Sequence, residues 1–276
     1  MTIIVTWNKL GGVWVDDILQ INGLNKVFYS GGHPISAVSD VSFEITQSEC
    51  FGLVGESGSG KSTVAKIIGG LLTPSSGNVT FLGRQLHYSR PHAIAQREGM
   101  QMIFQNPYSS FSPKMTIFQA LMEPLVYRQR HSTFAAYDMI VSALNDVGLG
   151  SDYEHRRCYE LSGGECQRAA IAQALLCSPK MLICDEITSA LDVSVQAQIV
   201  NLLMRLKNKR KLSILFISHD IALVSCICNR IAIMKGGEIV EIGDTERIIT
   251  TPQNAYTNTL LRFYKDDAED LRTSGN

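Results

Sequence analysis

Short, continuously apolar runs alternate along the chain with stretches in which apolar residues return every three or four positions. That pattern belongs to an α/β protein with a largely parallel sheet. The run "CFGLVG" reads as a buried strand leading into glycines, and after it Val64, Ile67, Ile68, Leu71 and Leu72 fall at helical spacing. This spacing predicts a helix that continues until Pro74 stops it. "KMLICDE" and "LSILFISHD" read as two more buried strands ending in polar residues, and between them Val195, Ile199, Leu202, Leu203 and Leu206 mark one face of a helix. In open α/β sheets ligands gather at the carboxyl ends of strands, so "GESGSGKS", "DE" and "SHD" are predicted to meet at one edge. "RIAIM" and "EIVEIG" read as a hairpin turned at Gly236 and Gly237.

The middle of the chain has a different texture. From "QNPYSSFSPKMTI" onward the period is helical, as in Ile117, Leu121 and Leu125, or Ile140, Ala143, Leu144 and Val147. A helical subdomain inserted at about 106–176 is predicted within an α/β domain spanning 18–250. Residues 1–17 read as a loose arm and 251–276 as a polar tail containing "DDAED". No internal repeat or low-complexity stretch interrupts this organisation.

Composition changes the picture little. The 276 residues are 45% hydrophobic and 18% charged, with a formal net charge of −1. The length suffices for a sizeable core, and no basic block invites a nucleic acid. Cysteines 50, 158, 166, 177, 184, 226 and 228 are odd in number and scattered among apolar neighbours, as in reduced core residues. The pair Cys226 and Cys228 has no second pair or histidine cluster at metal-binding spacing. No run approaches the roughly 20 apolar residues needed to span a bilayer. The first 17 residues lack the basic start of a signal peptide.

Candidate chemistry begins at "GESGSGKS", a G-x-x-x-x-G-K-[ST] match between a strand and a helix. Glycines let backbone N–H groups wrap phosphates, and the helix N-terminus adds partial positive charge. Gly55, Glu56, Ser57, Gly58, Ser59, Gly60, Lys61, Ser62 and Thr63 form this candidate nucleotide loop. Lys61 is expected to reach the β- and γ-phosphates, and the Ser62 hydroxyl to ligate Mg²⁺. In "LICDE", Asp185 is a candidate Mg²⁺ ligand and Glu186 the group that polarises an attacking water. His219 lies just beyond another strand, where an imidazole N–H suits a γ-phosphate. Gln105, ending "MQMIFQ", is a candidate for Mg²⁺ and the water. "LSGGECQRAAIAQALL", residues 161–176, starts a strong helix with an unusually bare turn.

The P-loop, "Q", "LSGGE-QR", "LICDE", "SALD" and "SHD", in that order, resemble the ATP-binding cassette (ABC) ATPases, from about residue 18 to 250. The resemblance implies a RecA-like P-loop NTPase core with an antiparallel β subdomain and an inserted α-helical subdomain, and ATP and Mg²⁺ as cofactors. It implies two cassettes packed head to tail, with Ser162, Gly163 and Gly164 of one meeting the γ-phosphate bound by the other, and Asp192 along the same interface. For the adenine it points to Phe28, with Tyr29 as the alternative.

The flanks narrow the resemblance. "FQNPYSSFSPKMTI" and "TPQNAYTNTLL" are similar to stretches of ATPases serving oligopeptide, dipeptide and nickel importers. That branch implies an ATP-hydrolysing importer subunit for peptides or nickel and other metal complexes. Its partners would be a second ABC ATPase subunit, as homodimer or heterodimer, transmembrane permease subunits and, indirectly, a solute-binding protein. It would sit peripherally on the cytoplasmic face of the membrane. The alternative is a soluble ABC ATPase acting on nucleic acid or the translation machinery. Three departures stand out: Glu165 in place of Gln, Ile187 in place of Pro, and Gln173 in place of Arg.

Overall fold

The computed structural model describes residues 8–10, 13–15, 17–88, 96–128 and 132–262. Along the chain run strands β1 (Asn8–Leu10), β2 (Val13–Val15), β3 (Asp17–Ser30), β4 (His33–Thr46) and β5 (Cys50–Val54), then helix α1 (Lys61–Ile68). There follow β6 (Ser76–Phe81), β7 (Arg84–Gln85), β8 (Met100–Ile103), α2 (Ile117–Glu123), α3 (Thr133–Asp146), α4 (Gly163–Leu176) and β9 (Met181–Asp185). The chain continues through α5 (Val193–Arg210), β10 (Ser213–Ser218), α6 (Ile221–Ile227), β11 (Arg230–Lys235), β12 (Glu238–Asp244) and α7 (Thr245–Thr250). Two compact units form, one from the described residues of 1–97 and 215–276, the other from those of 98–214.

In the first unit, β4, β3, β6 and β7 make an antiparallel sheet in that order. Strands β12, β11, β5 and β10 are neighbours in a second sheet, with β11 parallel to β5 and antiparallel to β12. All five residues of β5 are buried, as a strand covered on both faces requires. Phe43 of β4 stacks on Phe51 of β5 with ring centroids 5.0 Å apart. The β11–β12 hairpin turns at Gly236 and Gly237, as its sequence predicts.

Helix α1 ends earlier than its apolar spacing predicts. It stops at Ile68, six residues before Pro74, and Leu71 is 56% exposed. The N–H groups of Leu71 and Leu72 both fold back to the Lys66 carbonyl, at 2.8 and 3.1 Å, closing the helix through Gly69 and Gly70. A glycine closure satisfies the terminal carbonyls and outweighs the apolar pattern beyond it.

At the start of the chain, β1 pairs with β2 in antiparallel register, Asn8 opposite Val15, within the predicted arm; its other residues, 1–7, 11, 12 and 16, lie outside the described residues. At the far end, residues 255–262 of the predicted tail are helical, with Thr257 and Leu261 buried. The Glu241 carboxylate on β12 fastens this segment, accepting the N–H groups of Gln253 and Asn254 at 3.0 and 3.1 Å. The "DDAED" run lies outside the described residues.

The second unit holds β8 and β9, paired in parallel, with α2, α3, α4 and α5, and it contains the described residues of 106–176. The apolar positions that predict these helices are buried: Ile117, Leu121, Leu125, Ile140, Ala143, Leu144 and Val147. Thr116 opens α2 with a reciprocal capping box, its hydroxyl accepting Gln119 N–H at 3.2 Å while Gln119 Oε1 accepts Thr116 N–H at 2.9 Å. Five of the seven cysteines are buried, and burial pushes the Cys166 thiol up to about 12, out of reach of thiolate chemistry.

Candidate active site

In the first unit the loop after β5 folds back over its own lysine. Lys61 is 3% exposed, and its Nζ donates to Gly55 O and Glu56 O, both at 2.7 Å, and to Ser59 Oγ at 3.2 Å. These three neutral oxygens orient the ammonium. Gly60, the N-cap of α1, has φ 105°, and a Cβ there would lie 2.4 Å from Ala37 O and 2.8 Å from Met234 Cε. Only glycine can hold that position. Ser62 and Thr63 follow in the first turn of α1, half-buried. A buried cation at a helix N-terminus is a donor set suited to phosphate oxygens.

Phe28 lies near the end of β3, 38% exposed, with Lys26 Nζ 5.1 Å from its ring centroid. It is therefore not strand core; Lys26 lies over its ring, and an exposed ring of this kind can stack on a base. Tyr29 is 76% exposed. His219 follows directly on β10 and is exposed, at the carboxyl end of a strand whose every residue is buried.

In the second unit the register of β8 and β9 decides the geometry. Ile103 pairs with Cys184, so the residues two steps further on, Gln105 and Glu186, emerge side by side. Gln105 Nε2 donates to Glu186 Oε2 at 3.0 Å and to Ser189 Oγ at 3.2 Å. Glu186 has φ 49°, a left-handed conformation costing a non-glycine residue on the order of 1 kcal/mol. Ser189 secures it, donating from Oγ to Glu186 O at 2.9 Å. Asp185, the last residue of β9, is 6% exposed. Ile187 is 1% exposed, so the departure from proline fills core volume.

The signature turn is built as an N-cap. Ser162 caps α4, accepting Glu165 N–H at 3.3 Å, while Glu165 Oε2 accepts both the N–H and the hydroxyl of Ser162 at 2.8 Å. Tyr153 Oη donates to Glu165 Oε1 at 2.6 Å. The Tyr153 hydroxyl first, then the Ser162 groups, hold the Glu165 carboxyl below the usual carboxylate range, and that carboxylate pushes the Tyr153 phenol up. Tyr108 Oη donates to Leu161 O at 3.0 Å, tying the "QNPYSS" loop to the residue before the cap.

The paired glycines have an internal cause as well. A Cβ on Gly164 would lie 2.6 Å from Val195 Cγ1, and one on Gly163 3.2 Å from Leu191 Cδ2. The signature turn thus packs against the start of α5, whose N-cap is Asp192, an exposed residue making no side-chain cap bond. Gly163, Gly164 and Asp192 are brought into one neighbourhood.

Tyr153, Ser189 and Tyr108 escape the sequence reading as site residues. Glu165 in place of glutamine is the one signal pointing toward Tyr153, since an acid needs a donor that an amide does not. Beside these elements lies a groove of about 450 Å³ lined by Gln101, Phe104, Glu123, Pro124, Gln173 and Cys177. Gln173 Nε2 donates to Ala120 O at 3.3 Å, so the third departure holds the groove wall on α4 to α2.

Comparisons with known proteins point to one family. A family profile described as ABC transporter matches residues 38–189. The oligopeptide transport ATP-binding protein OppF of Escherichia coli (strain K12) is 41% identical over 244 residues, covering 88% of this chain and 73% of that protein. Among solved structures, cbiO1 from Clostridium perfringens, part of the ABC transporter complex cbiONQ, superposes with a TM-score of 0.77 at 28% identity, covering 86% of this chain and 92% of that one. The dimeric ATP-binding cassette MJ0796, bound to ADP and Pi, gives 0.74 at 27% identity, covering 82% and 98%.

Proposed function

The chain belongs to the ABC transporter family and is an ATPase of that family, and from that premise we propose that it is the ATP-hydrolysing subunit of a peptide importer. The single observation that carries the nucleotide assignment is the buried Lys61 ammonium, oriented by three neutral oxygens at the N-terminus of α1. Gly55 to Thr63 hold the phosphates of ATP, and the exposed ring of Phe28 stacks on the adenine. Ser62, Asp185 and Gln105 are the residues that would hold Mg²⁺, whose charge would offset that of the phosphates. Glu186 takes the proton of the attacking water, held for that task by Gln105, and His219 donates to the γ-phosphate. Ser162, Gly163, Gly164 and Asp192 serve the ATP of a second cassette, so ATP binding closes the pair and hydrolysis reopens it.

The relative named above is an oligopeptide transport protein, which supports peptides as the cargo. Among the described residues no helix is long and apolar enough to cross a membrane; in the importer reading the cargo path belongs to separate permease subunits. The groove between α2, α4 and β8 suits a short cytoplasmic helix of a permease, apolar over Phe104 and Pro124 and basic opposite Glu123, the carboxylate in its lining. The cassette then rides peripherally on the cytoplasmic face.

The test is Mg-ATP hydrolysis by the purified chain, alone and with its co-purifying permease in proteoliposomes, with Glu186→Gln as control. Turnover lost in the variant and altered by permease and peptide supports this reading. Turnover that answers only to nucleic acid overturns it in favour of a soluble ABC ATPase.

A further inference from the structure

The carboxylate of Glu165 is gripped from two sides. Tyr153, which ends the 3₁₀ turn Ser151–Tyr153, donates to Oε1 at 2.6 Å, while Oε2 takes the N–H and the hydroxyl of Ser162 at 2.8 Å. A glutamate's terminal torsion is broad, so one attachment point leaves its carboxylate free to turn and two do not. Hydrogen bonds to an ionised group are also short and strong. Arg156 reinforces the arrangement, its guanidinium 4.5 Å from the Tyr153 ring centroid and bonded to Asp152 at 2.9 Å.

We propose that Tyr153 is a positioning residue for the signature turn, acting through Glu165 to set the Ser162 hydroxyl for the γ-phosphate carried by a second cassette. The proposal rests on the reading of Ser162 given above. The Ser162 hydroxyl has one proton, which it gives to Glu165 Oε2. To meet a phosphate, that proton must turn from one anion to another. The Tyr153 hydroxyl draws charge toward Oε1, which weakens Oε2 as a competing acceptor and lowers the negative field at the turn. It also keeps the carboxylate from swinging away from the cap. A glutamine at 165 carries no net charge and gains far less from a phenol.

The experiment measures the ATP concentration that half-saturates dimer formation, by light scattering, in a Glu186→Gln background, with the full chain and any partner cassette that co-purifies. Tyr153→Phe removes only the hydroxyl, and it is expected to raise that concentration roughly fivefold. With Glu165→Gln added, the same change is expected to have less than about a twofold effect. Unchanged melting temperatures confirm that all variants fold. An equal effect in both backgrounds, or none in either, overturns the proposal. Ser162→Ala separates the two levels: if it raises the ATP requirement while Tyr153→Phe does not, Tyr153 alone is misassigned, and if it has no effect, the signature reading falls as well.

Discussion

Gln105 Nε2 donates to Glu186 Oε2 at 3.0 Å because the parallel register of β8 and β9 delivers both residues two positions beyond a paired couple. The amide thereby fixes the carboxylate that we propose polarises the attacking water. Glu186→Gln is expected to lower turnover by about 10²- to 10⁴-fold with Mg-ATP binding preserved, since it removes a general base and keeps the shape. Gln105→Ala keeps the base, frees its rotamer and removes a proposed Mg²⁺ ligand, so turnover should fall at least roughly tenfold and the Mg²⁺ concentration required should rise. Phosphate release and nucleotide titration measure both. Full turnover in Glu186→Gln would remove it from the mechanism.

Lys61 is 3% exposed, and Gly55 O, Glu56 O and Ser59 Oγ hold its ammonium at the N-terminus of α1, where a phosphate is expected. Lys61→Ala should weaken Mg-ATP binding by about 3 kcal/mol, a loss of roughly 10²-fold, because charge-assisted bonds to phosphate go unreplaced. Isothermal titration reads this directly. An affinity equal to that of the parent chain would exclude the lysine from the phosphate site.

Much of the cassette is legible in the sequence because the informative signals are local. A buried strand running into "GESGSGKS" can form only a tight turn with a helix behind it, and β5 with α1 is that unit. Helical spacing likewise marks the residues that α2 and α3 bury. Reading fails where a glycine closure overrides the apolar period, or where a contact distant in sequence decides. Leu71 and Leu72 continue the apolar period, yet the carbonyl of Lys66 takes both N–H groups and ends the helix. The tail after Pro252 is polar by composition, and Glu241, a β12 residue, holds its first backbone groups. The clash that excludes a side chain from Gly164 comes from Val195, 31 positions away, and no spacing rule connects the two.

Acid stability offers an independent test of the second unit. Asp146, at the end of α3, accepts from Lys209 at 2.8 Å and Arg210 at 2.7 Å on α5, and the Lys209 hydrogen bond, with Arg210, holds its carboxyl below the usual range against the opposing effect of burial. A folded-state value below the unfolded one means that the contribution is full above about pH 4 and is lost as pH falls through the folded value. Lys209 is 63% exposed, so solvent screening limits the contribution to about 1 kcal/mol. Asp146→Asn should therefore lower stability by about that amount at pH 7, with the difference closing below about pH 4. Urea denaturation at both pH values measures it, and a difference that does not change with pH contradicts the assignment.

The signature glycines can be tested for their internal role apart from any second subunit. A Cβ at position 164 would stand 2.6 Å from Val195 Cγ1, well inside contact distance, so Gly164→Ala forces α4 and α5 apart or displaces the valine. Overpacking of this kind costs about 1–3 kcal/mol. Val195→Ala removes the struck methyl and, at a half-buried position, has a small cost of its own. Combined, the two changes should restore most of the lost stability, a coupling of about 1 kcal/mol or more in a double-mutant cycle read by urea denaturation. ATP hydrolysis by the same double variant then isolates the second role. If stability returns while turnover stays low, the methyl at 164 obstructs the nucleotide that arrives from another cassette. If both return, the glycine is there for the packing of α4 on α5. If neither returns, the Val195 contact is not what the glycine protects.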